Sequence, residues 1–383
     1  MTTSPPRFSP PRPGPLNALT DVPGIRVGQH TAIGNGYLTG TTVVLAPGGG
    51  MVAGVDVRGG GPGTHETDLL EPTAAAERIH AVVLTGGSAY GLAACAGVMT
   101  ALEDRGIGLP VGPGPGEVVP LVPGAVLFDL GRGGDFTARP TAEFGCLALT
   151  AAFGPEAEGS AVGWQGVALG GVGAGTGACT GNLKGGIGTA SVVLPGGVTV
   201  AALVAVNATG SPIDPRTGEL LGARLLLPAD APPLVRPADA AREALLAVTA
   251  PRGPGIRFAG AEPAGPADPA GTPSVIGNTT LVVLATDAAL GKAQCTKMAA
   301  VAHDGLARAI NPVHTMFDGD VVFGVATGGA GVPDLFGLHQ IIVAGADVVT
   351  RAIVRALLAA ETTTTAAGRW PSYTDVIAGW RPA

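Results

Sequence analysis

The chain has 383 residues, enough for one large domain or two ordinary ones. Its net charge is −7 and its 22 Lys and Arg residues form no dense cluster, which argues against a nucleic-acid-binding surface. It is 46% hydrophobic but only 4% aromatic, and its 63 glycines are roughly twice the ~7% average, so tightly packed layers of small side chains and surface hidden in an oligomer are expected.

Residues 1–16 are rich in Pro and Ser and read as a disordered tail, with one ordered domain expected over 17–383. Two short apolar runs, 41–46 and 52–57, flank Pro47-Gly48-Gly49-Gly50 and read as a hairpin with a loose loop. A Gly-rich loop follows at Arg58–Gly63. Residues 72–80 read as a helix, 81–84 as a buried strand and 88–104 as an Ala-rich helix apolar on most sides. A further helix is expected at 141–152, strands at 189–194 and 198–206 around Pro195-Gly196-Gly197, and a helix at 238–248. Residues 251–274 form a Pro/Gly/Ala linker without periodicity, expected to be mobile. The remainder reads strand (280–285), helix (291–310), strand (321–326) and long helix (335–361). Two facing sheets with helices outside and a three-layer fold both fit this order.

Neither a secretion signal nor a membrane-spanning run is legible. Cys95, Cys146, Cys179 and Cys295 are widely spaced and read as small buried hydrophobes of a reducing compartment, so the cytoplasm is the expected location. The six histidines show no metal-binding spacing, and no metal or cofactor is expected. Gly171–Thr176 lacks the last glycine of a dinucleotide fingerprint, and Gly86-Gly87-Ser88-Ala89-Tyr90 misses the nucleophile elbow because Tyr90 stands where glycine is needed.

Gly277-Asn278-Thr279-Thr280 opens an apolar strand directly after the linker. A hydroxyl there can attack the preceding carbonyl, and scission before Thr279 would expose an N-terminal threonine. Its freed α-amine, with an ordinary pKa of ~7.7–8.0, could then act as base. Asn278 and Gly277 tolerate unusual backbone angles, and β-branching restrains the threonine hydroxyl. An ordinary turn entering a strand would carry the same residues. Lys184, in a Gly-rich segment before a strand, reads as a catalytic cation or a loop residue. Asn207, ending an apolar strand, reads as an oxyanion donor or a strand cap. Asp318 and Asp320, around Gly319, read as carboxylates orienting an ammonium or as a plain turn.

Taken together, Leu19–Gly24, Arg58–Thr64, Leu84–Gly91, Gly173–Gly177, Lys184–Gly188, Gly277–Thr280 and Asp318–Asp320 resemble the DmpA-type aminopeptidases and NylC-type nylon-oligomer hydrolases. The resemblance covers about 16–379. It implies an α/β, four-layer αββα sandwich of the N-terminal-nucleophile type, autocleaved at Asn278/Thr279 into an α-chain 1–278 and a β-chain 279–383, usually assembled as a homotetramer. It matches Thr279 to the nucleophile, Asn207 to the oxyanion asparagine, Lys184 to the lysine beside the nucleophile, and Asp318 and Asp320 to the acidic pair that orients the threonine amine. Phe128 stands where the nylon-hydrolase branch carries an active-site tyrosine; Phe128 and Tyr90 are the candidate substrate-binding residues. The expected activity is hydrolysis of small peptides, amino-acid amides or 6-aminohexanoate oligomers, with no nucleic-acid or membrane partner. Acyl transfer of the ornithine acetyltransferase type, and an uncleaved binding protein on the same fold, are the alternatives.

Overall fold

The computed structural model describes residues 12–114, 116–154, 166–249 and 278–379. An Asn35-Gly36 turn, both residues at positive φ, joins β1 (Arg26–Gly34) to β2 (Tyr37–Leu45) as a two-residue hairpin. Next come β3 (Val52–Val57), β4 (Thr64–His65), β5 (Ala81–Thr85), α1 (Ser88–Gly91), α2 (Ala93–Glu103), the short pair β6 (Leu109–Pro110) and β7 (Val118–Val119), β8 (Gly124–Val126) and α3 (Ala142–Phe153). A small ladder of β9 (Cys179–Thr180) and β10 (Leu183–Lys184) leads into the long hairpin β11 (Gly186–Val193) and β12 (Thr199–Val206), followed by α4 (Asp239–Thr249). The C-terminal part runs β13 (Leu281–Thr286), α5 (Lys292–Ala309), β14 (Val321–Ala326), α6 (Leu335–Ala359), β15 (Thr363–Thr365), β16 (Gly368–Trp370) and α7 (Tyr373–Ile377).

Two five-stranded sheets result, ordered β1-β2-β5-β8-β4 and β11-β12-β13-β14-β3. Only β5/β8 and β13/β14 run parallel within them. Side-chain alternation along the strands sets the layers. Val44, Leu84, Leu203 and Val283 meet in a core shared by both sheets. Val43, Val83, Val98 and Leu149 form a core with α2 and α3 on one outer face, and Val204, Leu284, Met298 and Ile353 form one with α5 and α6 on the other. The stack is therefore helices, sheet, sheet, helices. Strands buried on both faces read as unbroken apolar runs, which is why β12, β13 and β14 were plain in the sequence.

Glycine lets the layers approach. A β-carbon at Gly188 would lie 1.9 Å from the Ala352 carbonyl oxygen of α6, and one at Gly97 would lie 1.8 Å from that of Ala142.

The structure corrects the reading of the N-terminal third. The runs 41–46 and 52–57 are strands but not a hairpin: β2 pairs with β1 and β5, while β3 pairs with β14 in the other sheet. Pro47–Gly50 carries the chain across, since strands apolar on both faces do not specify their neighbour. Residues 72–80 are not helical. A nine-residue helix has little stability of its own, and here Lys292 Nζ takes the carbonyls of Leu69 and Ala74, while Ile79 bridges to Met51. The ordered chain also begins before residue 17, because Arg12 bridges to Val193 and the Gly14 amide donates to Ser191 Oγ. The tail 1–11 and the linker 251–274 lie outside the described residues. Among those described, no helix is long and apolar enough to cross a membrane.

Candidate active site

Strand ends from both sheets converge at one end of the sandwich. Asn207 follows β12, Thr279 and Thr280 lead into β13, Asp318–Asp320 leads into β14, and Arg58–Gly61 follows β3. From the other sheet, β8 runs into Phe128 and Arg132. Such an end is where a polar residue can follow an apolar strand without disturbing the core.

Thr279 is 4% exposed. Its Oγ1 donates to the carbonyl oxygen of Asn278 at 2.6 Å, and the Gly319 amide donates to the same oxygen at 3.0 Å. The Thr279 amide donates to the carbonyl of Asn207. The hydroxyl thus lies against the carbonyl it would attack, and that carbonyl already has a backbone donor. Gly319 has no room for a side chain: a β-carbon would sit 2.7 Å from Thr279 Oγ1.

Asn207 is fully buried. Its Oδ1 accepts from Arg132 Nη1 at 2.6 Å and from the Cys179 amide at 3.0 Å, which fixes the orientation of its carboxamide. Its Nδ2 donates to the Phe128 carbonyl at 3.2 Å. Among the described residues that uses one of its two N–H donors.

Lys184 is packed behind this group and does not touch Thr279. Its ammonium is fully used, donating to the carbonyls of Gly175, Ala178 and Gly185 at 2.9–3.1 Å. Burial pushes it down to about 8, against the pull of Cys179 and Asp129. Asp318 and Asp320 flank the threonine without reaching its nitrogen. Asp318 accepts from the Thr209 amide at 2.9 Å and Thr315 Oγ1 at 2.6 Å. Asp320 accepts from the Thr280 amide and His314 Nδ1, both at 2.8 Å. The pair anchors the loops that hold the threonine. Phe128 is half-buried and joins the cluster through its backbone. Tyr90 does not join it: the residue is 54% exposed and its ring lies under the Arg139 guanidinium at 3.6 Å.

Four residues escaped the sequence reading. Arg132 bridges Asn207 and Asn278; its only signal was a lone arginine among glycines, Gly131-Arg132-Gly133-Gly134. Gly319 was visible only as the centre of an Asp-Gly-Asp turn. His314 binds Asp320 and meets His303 edge-on, ring centres 4.7 Å apart; burial takes His303 down to about 4. Asp129 receives the Gly87 amide at 2.7 Å, and burial raises its carboxyl to about 6. Among the described residues no three His, Cys, Asp or Glu side chains converge to hold a metal ion. A cavity of about 1030 Å³ lies at the opposite end of β5, bounded by Arg26, Glu77, Arg78 and His80, and none of the candidate residues lines it.

The order of these segments matches the model of peptidase family S58 over residues 17–370. The chain belongs to this family. This S58 peptidase is 43% identical over 366 residues to an uncharacterized aminopeptidase of Mycobacterium leprae, covering 91% of each chain. It is 32% identical over 326 residues to the 6-aminohexanoate-oligomer endohydrolase of Paenarthrobacter ureafaciens, covering 80% of this chain and 74% of that one. Its fold is similar to that of the L-aminopeptidase D-Ala-esterase/amidase of Ochrobactrum anthropi, described as a prototype serine aminopeptidase and a variant of the Ntn-hydrolase fold. The TM-score is 0.65 at 20% identity, over 96% of this chain and 95% of that one. The S58 peptidase is a hydrolase of peptide or amide bonds with an Ntn-hydrolase fold.

Proposed function

We propose that this peptidase cuts its own Asn278–Thr279 bond and then works as an N-terminal threonine amide hydrolase. The observation that carries the reading is the Thr279 hydroxyl 2.6 Å from the Asn278 carbonyl oxygen, with the Gly319 amide 3.0 Å from that oxygen. In maturation, Oγ1 attacks the Asn278 carbonyl carbon and the negative charge develops beside the Gly319 amide. The peptide nitrogen leaves as the amine of Thr279, giving an ester on Oγ1, and water releases Asn278 as a carboxylate. The Asn207 carbonyl, which accepts from the Thr279 nitrogen, is placed to orient the new amine.

In turnover, that amine takes the hydroxyl proton as Oγ1 attacks the substrate carbonyl. The second Nδ2 N–H of Asn207, beside the one given to the Phe128 carbonyl, serves the oxyanion. The leaving amine departs with the proton, and water hydrolyses the acyl ester. Lys184 supports the oxyanion wall from behind, and Asp318 and Asp320 hold the loops on either side. Small peptides and amino-acid amides are the substrate class suggested by the aminopeptidase relatives, and 6-aminohexanoate oligomers the one suggested by the endohydrolase. We also propose that cleaved protomers assemble as homotetramers, which sedimentation of the purified protein checks directly.

Intact mass spectrometry under denaturing conditions tests the central claim. Wild type is expected to give two chains splitting between Asn278 and Thr279, and Thr279→Ala one uncut chain without amidase activity. A wild type that stays whole on ageing overturns the reading.

A further inference from the structure

We infer that Arg132 is a positioning residue for self-cleavage, acting by holding the side chain of Asn278 on the acyl side of the scissile bond. The inference rests on the proposed cut at 278/279 and adds a residue that neither the sequence motifs nor the family assignment supplies. Arg132 Nη2 donates to Asn278 Oδ1 at 3.0 Å, while Nη1 donates to Asn207 Oδ1 and the Gly177 carbonyl, each at 2.6 Å. One planar guanidinium therefore ties the candidate oxyanion asparagine to the residue whose carbonyl is attacked. These two asparagines stand on different segments, and a rigid fork fixes their separation better than a flexible ammonium can.

The remaining contacts of Asn278 complete a clamp. Its Nδ2 donates to Thr209 Oγ1 at 3.3 Å, its amide to the Phe317 carbonyl at 3.1 Å, and its carbonyl accepts from Gly319 at 3.0 Å. The carboxamide is held at both ends and the backbone on both sides, so the carbonyl cannot turn away from Oγ1. Arg132 touches neither the attacked carbon nor the attacking oxygen, so any effect passes through the groups it holds, of which Asn278 carries the attacked carbonyl. A misplacement of about 1 Å at a reacting centre slows a reaction about 10²-fold, and that sets the expected size of the effect.

The test is a time course of cleavage of the full chain made by cell-free translation, followed on denaturing gels. R132Q and N278A are each expected to mature about 10²-fold more slowly than wild type. The double variant R132Q/N278A should be slowed by clearly less than the product of the two single effects, because the Arg132–Asn278 contact is lost in both. N278D keeps the acceptor for the guanidinium and should mature near the wild-type rate, unless combined with R132Q. Wild-type cleavage rates in R132Q, or single-variant effects that multiply in the double, overturn the inference. If R132Q does not fold, the comparison of N278A with N278D in chains that keep Arg132 decides: equal rates overturn it, and a slow N278A beside a fast N278D supports it. A wild type that never cleaves overturns the maturation reading together with this inference, whereas a wild type that cleaves beside an equally fast R132Q overturns this inference alone.

Discussion

The space beside the Thr279 hydroxyl is set by an atom that Gly319 does not have. A methyl at that position would stand 2.7 Å from both Oγ1 and the Gly61 carbonyl, inside van der Waals contact. Gly319→Ala should therefore push the hydroxyl or its backbone donor out of line. The expected outcome is a folded chain that matures at least about 10²-fold more slowly, read as the fraction cut against time. Asp129 gives a second prediction at this scale. Burial raises it from 3.8 to about 6, against the Thr39 hydroxyl, the Gly87 amide and the charges of Arg132 and Lys184. Between pH 3.8 and 6 the folded chain keeps a proton that the unfolded chain has lost, so this group's contribution to stability falls as pH rises through that window. Asp129→Asn removes the fall. The variant should gain on wild type between pH 4 and 7 by at most about 3 kcal/mol, measured as urea midpoints at the two pH values. A stability difference that does not change with pH would contradict it.

At the scale of elements, the glycine content is a packing device. Gly188 of β11 faces α6, and a β-carbon there would meet the Ala352 carbonyl at 1.9 Å and the Ala356 amide at 2.7 Å. Neither is the end of a flexible side chain; both belong to helix backbone. Gly188→Ala must therefore move α6 off the sheet or distort β11, and overpacking of this kind costs about 1–3 kcal/mol. A lowered urea midpoint with an unchanged cleavage site is the expected result, since α6 covers the face of the sheet remote from Thr279. A midpoint equal to wild type would show that the layer can yield.

At the scale of the whole molecule, the proposed cut falls where it cannot separate the pieces. β13 is an interior strand, paired with β12 from Val200/Thr286 to Ala205/Leu281 and with β14 from Leu281/Val321 to Thr286/Ala326. β14 in turn pairs with β3. Strands from the two sides of residue 278 thus interleave in one sheet, and α5 and α6 cover it as part of a common core. The two fragments should elute together as one native species in size exclusion and part only in denaturant. Separation in native buffer would mean that the sheet does not survive the cut.

Much of this was legible along the chain. Strands buried on both faces write long apolar runs, so β12, β13 and β14 were placed within a residue or two, and the polar residues flanking those runs, Asn207, Thr279, Asp318 and Asp320, stood out as candidates whose roles only the family resemblance suggested. The edge strand β1 was missed because only part of Arg-Val-Gly-Gln-His-Thr-Ala-Ile-Gly is buried, which leaves no pattern. Sheet membership was also hidden, as the false hairpin of β2 and β3 shows. The sequence alone determined where the fully buried strands and long helices lie and which hydroxyl stands before β13, because burial and turn chemistry are local. The tertiary structure alone decided that Arg132 meets Asn278, 146 residues away, and that the two carboxylates bind loop donors instead of the threonine nitrogen. Those partners are chosen by how strands cross between sheets, and contacts between distant segments leave no period or spacing in the chain.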